Sequence, residues 1–179
     1  MGEGKVYQVI YADPPWRYRH CESNNRTIEN HYPTMDLEDI KKLNVPSDKN
    51  CVLYMWTTAP KLAEGLEVMV AWGFDYRSCL IWDKEVMGLG YWARIQHEIL
   101  MVGVKGKISP PIPSLRIPSV VRIKRGQHSD KPDYFRAMID KWFPNANKLE
   151  MFCRDHTPLF KRVGWHVWGN EVKNSLEIL

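Results

Sequence analysis

The chain has 179 residues, of which 25 are lysine or arginine and 21 are aspartate or glutamate, so its formal net charge is +4. We expect one domain over residues 1–179, because a chain of this length can bury about 70% of its unfolded surface in one core. Hydrophobic residues make up 44% and charged residues 26%, which excludes a disordered or low-complexity chain.

The apolar runs and the cysteines argue against a membrane or secreted protein. No apolar run approaches the about 18 residues that cross a bilayer, and the N-terminus lacks the plan of a signal peptide. The cysteines Cys21, Cys51, Cys79 and Cys153 stand far apart without a CxxC pair, unlike structural zinc sites and disulfide frameworks. We therefore expect a soluble, cytoplasmic protein with free thiols and no metal site.

The first third of the chain predicts a strand, a loop, a helix and a second strand. Val6–Ala12 is apolar and β-branched, and it stops at two prolines. The polar residues 16–32 show no periodicity, which is typical of a functional or disordered loop. Asp36 is the predicted N-cap of a short helix with Leu37, Ile40 and Leu43 as its apolar stripe, and Cys51–Trp56 is the second strand.

The middle of the chain predicts one helix and three strands. The helix opens at Pro60 and ends before Gly73. Its predicted apolar face consists of Leu62, Ala63, Leu66, Met69 and Val70. The strands are Tyr76–Trp82, Glu98–Lys105 and Ser119–Lys124.

The last third predicts a helix that begins at Lys131-Pro132, followed by the strands Lys148–Phe152 and Trp165–Trp168. The inward face of this helix is Phe135, Met138, Ile139 and Trp142. Strands that alternate with helices indicate a three-layer α/β domain around a mostly parallel sheet. In such sheets ligands bind beyond the carboxyl ends of the strands. The tryptophans at 56, 72, 82, 142, 165 and 168 are predicted to belong to the core.

A basic segment stands out in the second half of the chain. Between Ile99 and Ser129 there is no carboxylate. Its cations are Lys105, Lys107, Arg116, Arg122, Lys124 and Arg125. Four prolines in the segment favour an extended surface loop. A solvated loop and a contact with a polyanion both remain open.

The segment Asp13-Pro14-Pro15-Trp16 follows the first strand, where a ligand is expected. Asp13 is an anionic acceptor, the two prolines present only carbonyls, and Trp16 offers a flat apolar face. Two acceptors beside a stacking surface suit a planar heterocycle with an amino group, although a plain turn is the simpler alternative. Asp13 and the Pro14 carbonyl could accept hydrogen bonds from an adenine amino group. These bonds would favour attack of its nitrogen on an electrophilic methyl group.

The chain resembles a known family through seven ordered segments between Val9 and Glu171. In chain order the seven segments are YADPPW, HYPTM, LIWDK, GYWARIQHEILMVGVKGK, HSDKPDYF, LEMFCRDH and WGNE. They are similar to the S-adenosylmethionine-dependent adenine-N6 methyltransferases of the mRNA-methylating type and their bacterial and phage relatives. The resemblance implies a Rossmann-like α/β fold with S-adenosylmethionine as cofactor.

The resemblance also implies roles for individual residues. The catalytic loop would be Asp13, Pro14, Pro15 and Trp16. The cofactor would be held by Asp13, Lys131, Arg154, His156, Thr157, Asn170 and Glu171. The substrate would be contacted by Tyr32, Trp92, Glu98 and Lys131.

Plain alternatives accompany several of these roles. Arg154 and His156 could be surface groups at a strand end, Lys131 could belong to a helix turn, and Glu98 could be a charge at a strand edge. Thr157 and Glu171 stand where the mRNA enzyme has asparagine and glutamine. With twelve residues before Asp13, the acidic segment that helps that enzyme grip the cofactor adenine is expected to be missing.

These observations together predict methyl transfer from S-adenosylmethionine to the N6 amino group of adenine in DNA. The segments Arg17–His31 and Lys105–Arg125 are the candidates for gripping the nucleic acid, and a second copy or a partner subunit could complete that surface. One alternative is the same chemistry on RNA. Another is an inactive methyltransferase-like scaffold that binds nucleic acid.

Overall fold

Seven strands form one sheet in the computed structural model of the protein, which describes residues 5–18, 33–90, 92–126, 131–154, 164–170, 172–175 and 178. The strands are β1 (Tyr7–Ala12), β2 (Ser47–Thr57), β3 (Asp75–Asp83), β4 (His97–Lys105), β5 (Val120–Arg122), β6 (Lys148–Met151) and β7 (Trp165–Trp168). The described α-helices are α1 (Leu37–Lys42), α2 (Leu62–Ala71) and α3 (Asp133–Trp142). Within the described part of the chain, no helix is long and apolar enough to cross a membrane.

The order of the strands is β5-β3-β4-β2-β1-β6-β7, and one strand runs against the rest. β4 is antiparallel to both β2 and β3, whereas every other pair is parallel. The mostly parallel sheet is therefore confirmed, with a reversal of β4 that the sequence analysis did not predict. Because of the reversal, the amino end of β4 lies at the same edge as the carboxyl ends of the other strands.

Helices cover both faces of the sheet, which gives a three-layer, Rossmann-like α/β fold. On one face, Ile10 of β1 and Leu53 of β2 pack in a core with Ile40 of α1 and Val68 of α2. On the other face, the next residues along β1 and β2 lie in a core with α3. Successive residues of a strand point to opposite faces, so each central strand is buried on both sides.

The buried face of α2 includes Met69, as predicted, but otherwise differs from the predicted face. Leu62, Leu66 and Val70 are 38%, 37% and 71% exposed, whereas Gly65 and Val68 are buried. A Cβ atom at Gly65 would lie 2.7 Å from the Met101 methyl group. The helix is rotated so that its glycine meets the sheet, which permits a close approach that a leucine at that position would prevent.

The carboxyl end of α2 lies where Gly73 predicts it. Gly73 has a φ of +81°, a left-handed conformation that favours glycine. Its N–H donates to the Val70 carbonyl at 2.9 Å, and the Phe74 N–H donates to the Met69 carbonyl at 3.0 Å. These two bonds form the Schellman arrangement that ends many helices.

The predicted cap of α1 is correct in position but wrong in its contact. Asp36 is the N-cap residue, yet its side chain makes no capping bond. The carboxylate instead accepts a hydrogen bond from Arg17 Nη1 at 2.6 Å. The Asp36 side chain thus ties the start of α1 to the residue that follows Trp16.

Candidate active site

A cavity of about 220 Å³ opens at the edge where the parallel strands end and β4 begins. Asp13 follows β1, Thr57 ends β2 and Arg154 lies just beyond β6. Glu98 is the second residue of β4. The described residues that line the cavity are Asp13, Pro14, Pro15, Trp16, Tyr18, Trp56, Thr57, Thr58, Glu98, Arg125, Lys131 and Arg154.

Ionised side chains of alternating sign cross the wall of the cavity. Lys131 Nζ lies 2.6 Å from Asp13 Oδ2 and 3.4 Å from Glu98 Oε2. Lys84 Nζ lies 3.2 Å from the other Glu98 oxygen, Oε1. Two carboxylates thus face two ammonium groups, so these four residues carry no net charge as a set.

The pKa values of Lys131 and Glu98 are shifted so that both groups stay ionised. Burial alone would lower the pKa of Lys131, but the carboxylates of Asp13 and Glu98 outweigh burial and raise it. Burial alone would raise the pKa of Glu98, but Lys131 and Lys84 outweigh it and lower that pKa. Paired charges inside a low-dielectric wall stabilise each other's ionised forms.

Local hydrogen bonds fix the backbone of the Asp13-Pro14-Pro15-Trp16 loop. The Trp16 N–H donates to the Pro14 carbonyl at 2.9 Å, and the Met35 N–H donates to the Pro15 carbonyl at 2.9 Å. Because a carbonyl oxygen has two lone pairs, the Pro14 oxygen can still accept a second bond.

The Trp16 ring forms part of the cavity wall rather than a freely exposed plate. It is 6% exposed, and its Nε1–H donates to the Trp56 carbonyl at 3.2 Å. Its use as a stacking surface for a base stays a prediction.

The structure brings together some of the predicted site residues and separates others. Lys131, Glu98 and Arg154 line the cavity with the Asp13 loop. Asn170 follows β7 and is exposed, and the exposed Trp92 is absent from the described lining. Outside the described residues lie Tyr32, His156, Thr157 and Glu171.

Trp92 belongs to the connection between β3 and β4, residues 84–96, in which residue 91 lies outside the described part. The Lys84 N–H donates to the Gln96 carbonyl at 2.9 Å, and the Gly88 N–H donates to the Ile95 carbonyl at 2.8 Å. Exposed apolar side chains cluster on this connection: Met87, Leu89 and Trp92. The connection joins the end of β3 to the start of β4 at the edge of the sheet where the cavity opens, and exposed apolar groups of this kind often contact a ligand or a partner.

The part of the basic segment from Lys105 to Arg125 runs from the far edge of the sheet to the cavity edge. At the far edge, the Lys107 N–H donates to Asn50 Oδ1 at 2.7 Å. At the cavity edge, the Arg125 N–H donates to the Lys84 carbonyl at 3.2 Å. The end of the segment near Arg125 is thus the part that lies beside the site.

Sequence reasoning missed Trp56 and Lys84 as site residues. Trp56 was predicted to belong to the core, and at 1% exposure it does, but its ring also borders the cavity. Lys84 directly follows β3, so the rule that ligands bind at the carboxyl ends of strands could have identified it.

Comparisons with known proteins agree with the resemblance seen in the sequence. The MT-A70 family model matches residues 7–171. The type II methyltransferase M.MunI from Mycoplasma sp is 37% identical over 97% of this chain and 82% of its own length.

Longer relatives carry the same region. An Arabidopsis thaliana N(6)-adenosine-methyltransferase MT-A70-like protein is 29% identical over 93% of this chain. The human N(6)-adenosine-methyltransferase catalytic subunit METTL3 is 27% identical over 93% of this chain. This chain spans 24% and 28% of the lengths of those two proteins. From the match over residues 7–171 and the likeness to M.MunI, the chain belongs to the MT-A70 family.

Proposed function

We propose that this chain transfers the methyl group of S-adenosylmethionine to the N6 amino group of adenine in DNA. The observation that carries the proposal is the pairing of Asp13 with Lys131 at 2.6 Å in a cavity at the strand ends. M.MunI, named as a type II methyltransferase, and the relatives named as N(6)-adenosine-methyltransferases support the same chemistry. Residues 1–179 act as one domain in this proposal.

Asp13 is suited to orient an amino group because one of its oxygens is left for the substrate. Lys131 binds Oδ2, and no hydrogen bond from the described residues reaches Oδ1. Oδ1 and the Pro14 carbonyl then accept hydrogen bonds from the two N–H groups of the adenine amino group. This orients the nitrogen lone pair toward the methyl carbon. As the N–C bond forms and the C–S bond breaks, the nitrogen loses one proton, which Asp13 is placed to accept.

The charges of the cavity fit S-adenosylmethionine, which combines a carboxylate with an ammonium and a sulfonium group. Lys131 and Arg154 offer cations to a carboxylate, and Asp13 and Glu98 offer anions to cationic groups. When bound, S-adenosylmethionine supplies an electrophilic methyl group. By resemblance, its remaining contacts are assigned to His156, Thr157, Asn170 and Glu171.

The surface around the cavity suits a nucleic-acid strand. Exposed Lys124 and Arg125 lie at the end of the basic segment, where cations can contact phosphates. Trp92, exposed on the neighbouring connection, can stack on a base. A target adenine must leave the duplex stack to reach the cavity, at a cost of a few kcal/mol. Tyr32 and Glu98 are further substrate contacts in this proposal.

The proposed setting is the bacterial or phage-infected cytoplasm, where DNA and S-adenosylmethionine meet. A second copy or a partner subunit would extend the surface that grips the strand. Gel filtration of the protein with and without a duplex oligonucleotide tests this assembly.

Transfer of a labelled methyl group tests the proposed reaction. The protein is incubated with labelled S-adenosylmethionine and with duplex DNA, single-stranded DNA or RNA of the same adenine-containing sequence. Matched oligonucleotides with N6-methyladenine at the target position are the controls. We expect label in DNA adenine and none in the controls. Absence of label in DNA across a library of adenine contexts would contradict the proposal.

RNA is the second candidate substrate, and the relatives named as N(6)-adenosine-methyltransferases favour it. Faster labelling of RNA than of either DNA strand state in the same assay would select it. A third possibility, an inactive scaffold, predicts that calorimetry detects no binding of S-adenosylmethionine.

A further inference from the structure

The Lys131 ammonium group is held at Asp13 by carboxylates and also by the indole ring of Trp56. Its nitrogen lies 5.6 Å from the centre of that ring, within the range in which an indole face attracts a cation. Trp56 is 1% exposed, so its ring is a fixed part of the wall against which the ammonium group lies. Any rotation of the indole would change where Lys131 sits.

The Trp56 ring is itself fixed by Tyr11. Trp56 Nε1–H donates to the Tyr11 hydroxyl at 2.7 Å, and both side chains are 1% exposed. The Phe135 ring meets the indole edge to face at 4.9 Å. A buried indole N–H requires an acceptor, so the hydroxyl selects one orientation of the indole.

Tyr11 is fixed in turn by a buried ion pair. The Arg136 guanidinium lies over the Tyr11 ring, 5.2 Å from its centre. Arg136 Nε donates to Glu150 Oε2 at 2.8 Å, and its Nη2 donates to Oε1 of the same carboxylate. Burial raises the pKa of Tyr11, so the hydroxyl remains neutral. The neutral hydroxyl can then accept the indole hydrogen bond across the ordinary pH range.

These contacts lead from Asp13 through Lys131 and Trp56 back to Tyr11, which is two residues from Asp13 at the end of β1. We propose that Tyr11 and Trp56 are positioning residues that keep the Lys131 ammonium group on Oδ2 of Asp13. Oδ1 then stays available to the target amino group. The inference rests on the proposed function of Asp13 and adds Tyr11, which is absent from the described lining of the cavity.

Tyr11→Phe tests the proposal with the loss of one oxygen atom. The ring that Arg136 covers is kept, while the Trp56 N–H loses its acceptor. We expect kcat to fall about tenfold and KM for S-adenosylmethionine to change less than about twofold, as for an interaction needed only in the transition state. An unchanged kcat would overturn the proposal.

Tyr54→Phe is the matched control. Tyr54 is also 1% exposed and lies on the same face of the sheet, where its ring packs against Trp142 and Phe143. This variant should keep the wild-type kcat. If both substitutions lower the melting temperature equally and neither lowers kcat, Tyr11 has only a structural role and the proposal fails.

A double-mutant cycle shows whether Tyr11 acts through Lys131. In the Lys131→Met background the added Tyr11→Phe change should lower kcat no further, because its target is already absent. Full multiplication of the two losses would overturn the proposal. If Tyr11→Phe does not fold, Trp56→Phe removes the same hydrogen bond and keeps an aromatic ring, and it takes the place of Tyr11→Phe in the cycle.

Nitrogen NMR of the lysine ammonium groups gives a readout that does not depend on methyl transfer. We expect a slowly exchanging ammonium signal that Lys131→Met removes, that Tyr11→Phe weakens or removes, and that Tyr54→Phe keeps. An unchanged signal in Tyr11→Phe would overturn the positioning role. If that signal behaves as expected but the wild-type protein methylates no nucleic acid, the proposed function fails and the positioning role stands.

Discussion

Asp13 is the residue on which the proposed chemistry depends most directly. Asp13→Ala should lower kcat by about a hundred- to ten-thousand-fold, the range for a positioned proton acceptor. Labelled methyl transfer at saturating S-adenosylmethionine measures this. Asp75→Ala is the control, because Asp75 is an exposed carboxylate at the opposite end of the sheet. Equal rates in Asp13→Ala and wild type would remove Asp13 from the mechanism.

Glu98 should make the stability of the fold depend on pH. Lys131 and Lys84 lower its folded pKa below the ordinary 4.5 despite burial. Its contribution is therefore present above the unfolded pKa and is lost as the pH falls through the folded pKa. The melting temperature of Glu98→Gln should lie below that of wild type at pH 7, and the gap should close as the pH falls below the ordinary 4.5 and through the folded pKa of Glu98.

The exposed carboxylate of Glu85 supplies the control for the Glu98 experiment. Glu85→Gln should follow the wild-type melting curve at every pH, because Glu85 has no part in the ion pairs of the cavity. A gap between Glu98→Gln and wild type that stays constant from neutral to acid pH would show that the lysines do not stabilise the Glu98 charge.

Single residues also show how far sequence reasoning reaches. Asp13 was identified because its motif follows a strand, and Lys131 because its motif resembles a family. The 2.6 Å pair between them joins positions 118 residues apart, which spacing along the chain cannot reveal. Trp56 shows a second limit of sequence reasoning. The pattern of an apolar strand predicts that its tryptophan belongs to the core, whether or not the ring also borders a cavity.

At the scale of elements, all seven strands were predicted, β5 over a longer range than the three residues it has, and the direction of β4 was not. The residue pattern of a strand does not predict its direction in the sheet, but the connection to the next strand can. Here 13 residues, from 84 to 96, join β3 to β4. That length allows an antiparallel hairpin and is just long enough for a parallel crossover, which usually contains a helix. No helical pattern occurs there, so the reversal that brings Glu98 to the cavity could have been inferred.

The end of α2 provides a stability prediction that belongs to one element. Gly73→Ala should lower the free energy of unfolding by about 1 kcal/mol, because alanine is strained at a positive φ. The nearest atoms to the added Cβ would be 3.7 Å and 3.8 Å away on Lys105, so the loss would come from the backbone. Urea unfolding measures it.

Gly126→Ala is the control for the end of α2. A Cβ atom there meets nothing within 4 Å, so the free energy of unfolding should stay within about 0.5 kcal/mol of wild type. Equal stability of both alanine variants would mean that Gly73 does not need its left-handed conformation.

At the scale of the whole molecule, the two ends of the basic segment should differ in their effect on DNA binding. Lys124→Gln, close to the cavity edge, should reduce the slope of log affinity against log salt by about 1. Lys107→Gln is the control, because its backbone is bonded to Asn50 at the far edge. Fluorescence anisotropy with a labelled duplex measures both slopes, and an equal loss in the two variants would contradict the assignment.

β1 sits between β2 and β6, so the Asp13 loop depends on partners from both halves of the chain. Residues 9–12 pair with residues 52–55 on one side and 148–151 on the other. During synthesis at the ribosome, β1 keeps an edge of unpaired backbone N–H and C=O groups until β6, its last partner, has been translated. Prematurely terminated fragments should therefore be substrates for chaperones and proteases rather than partly working methyltransferases.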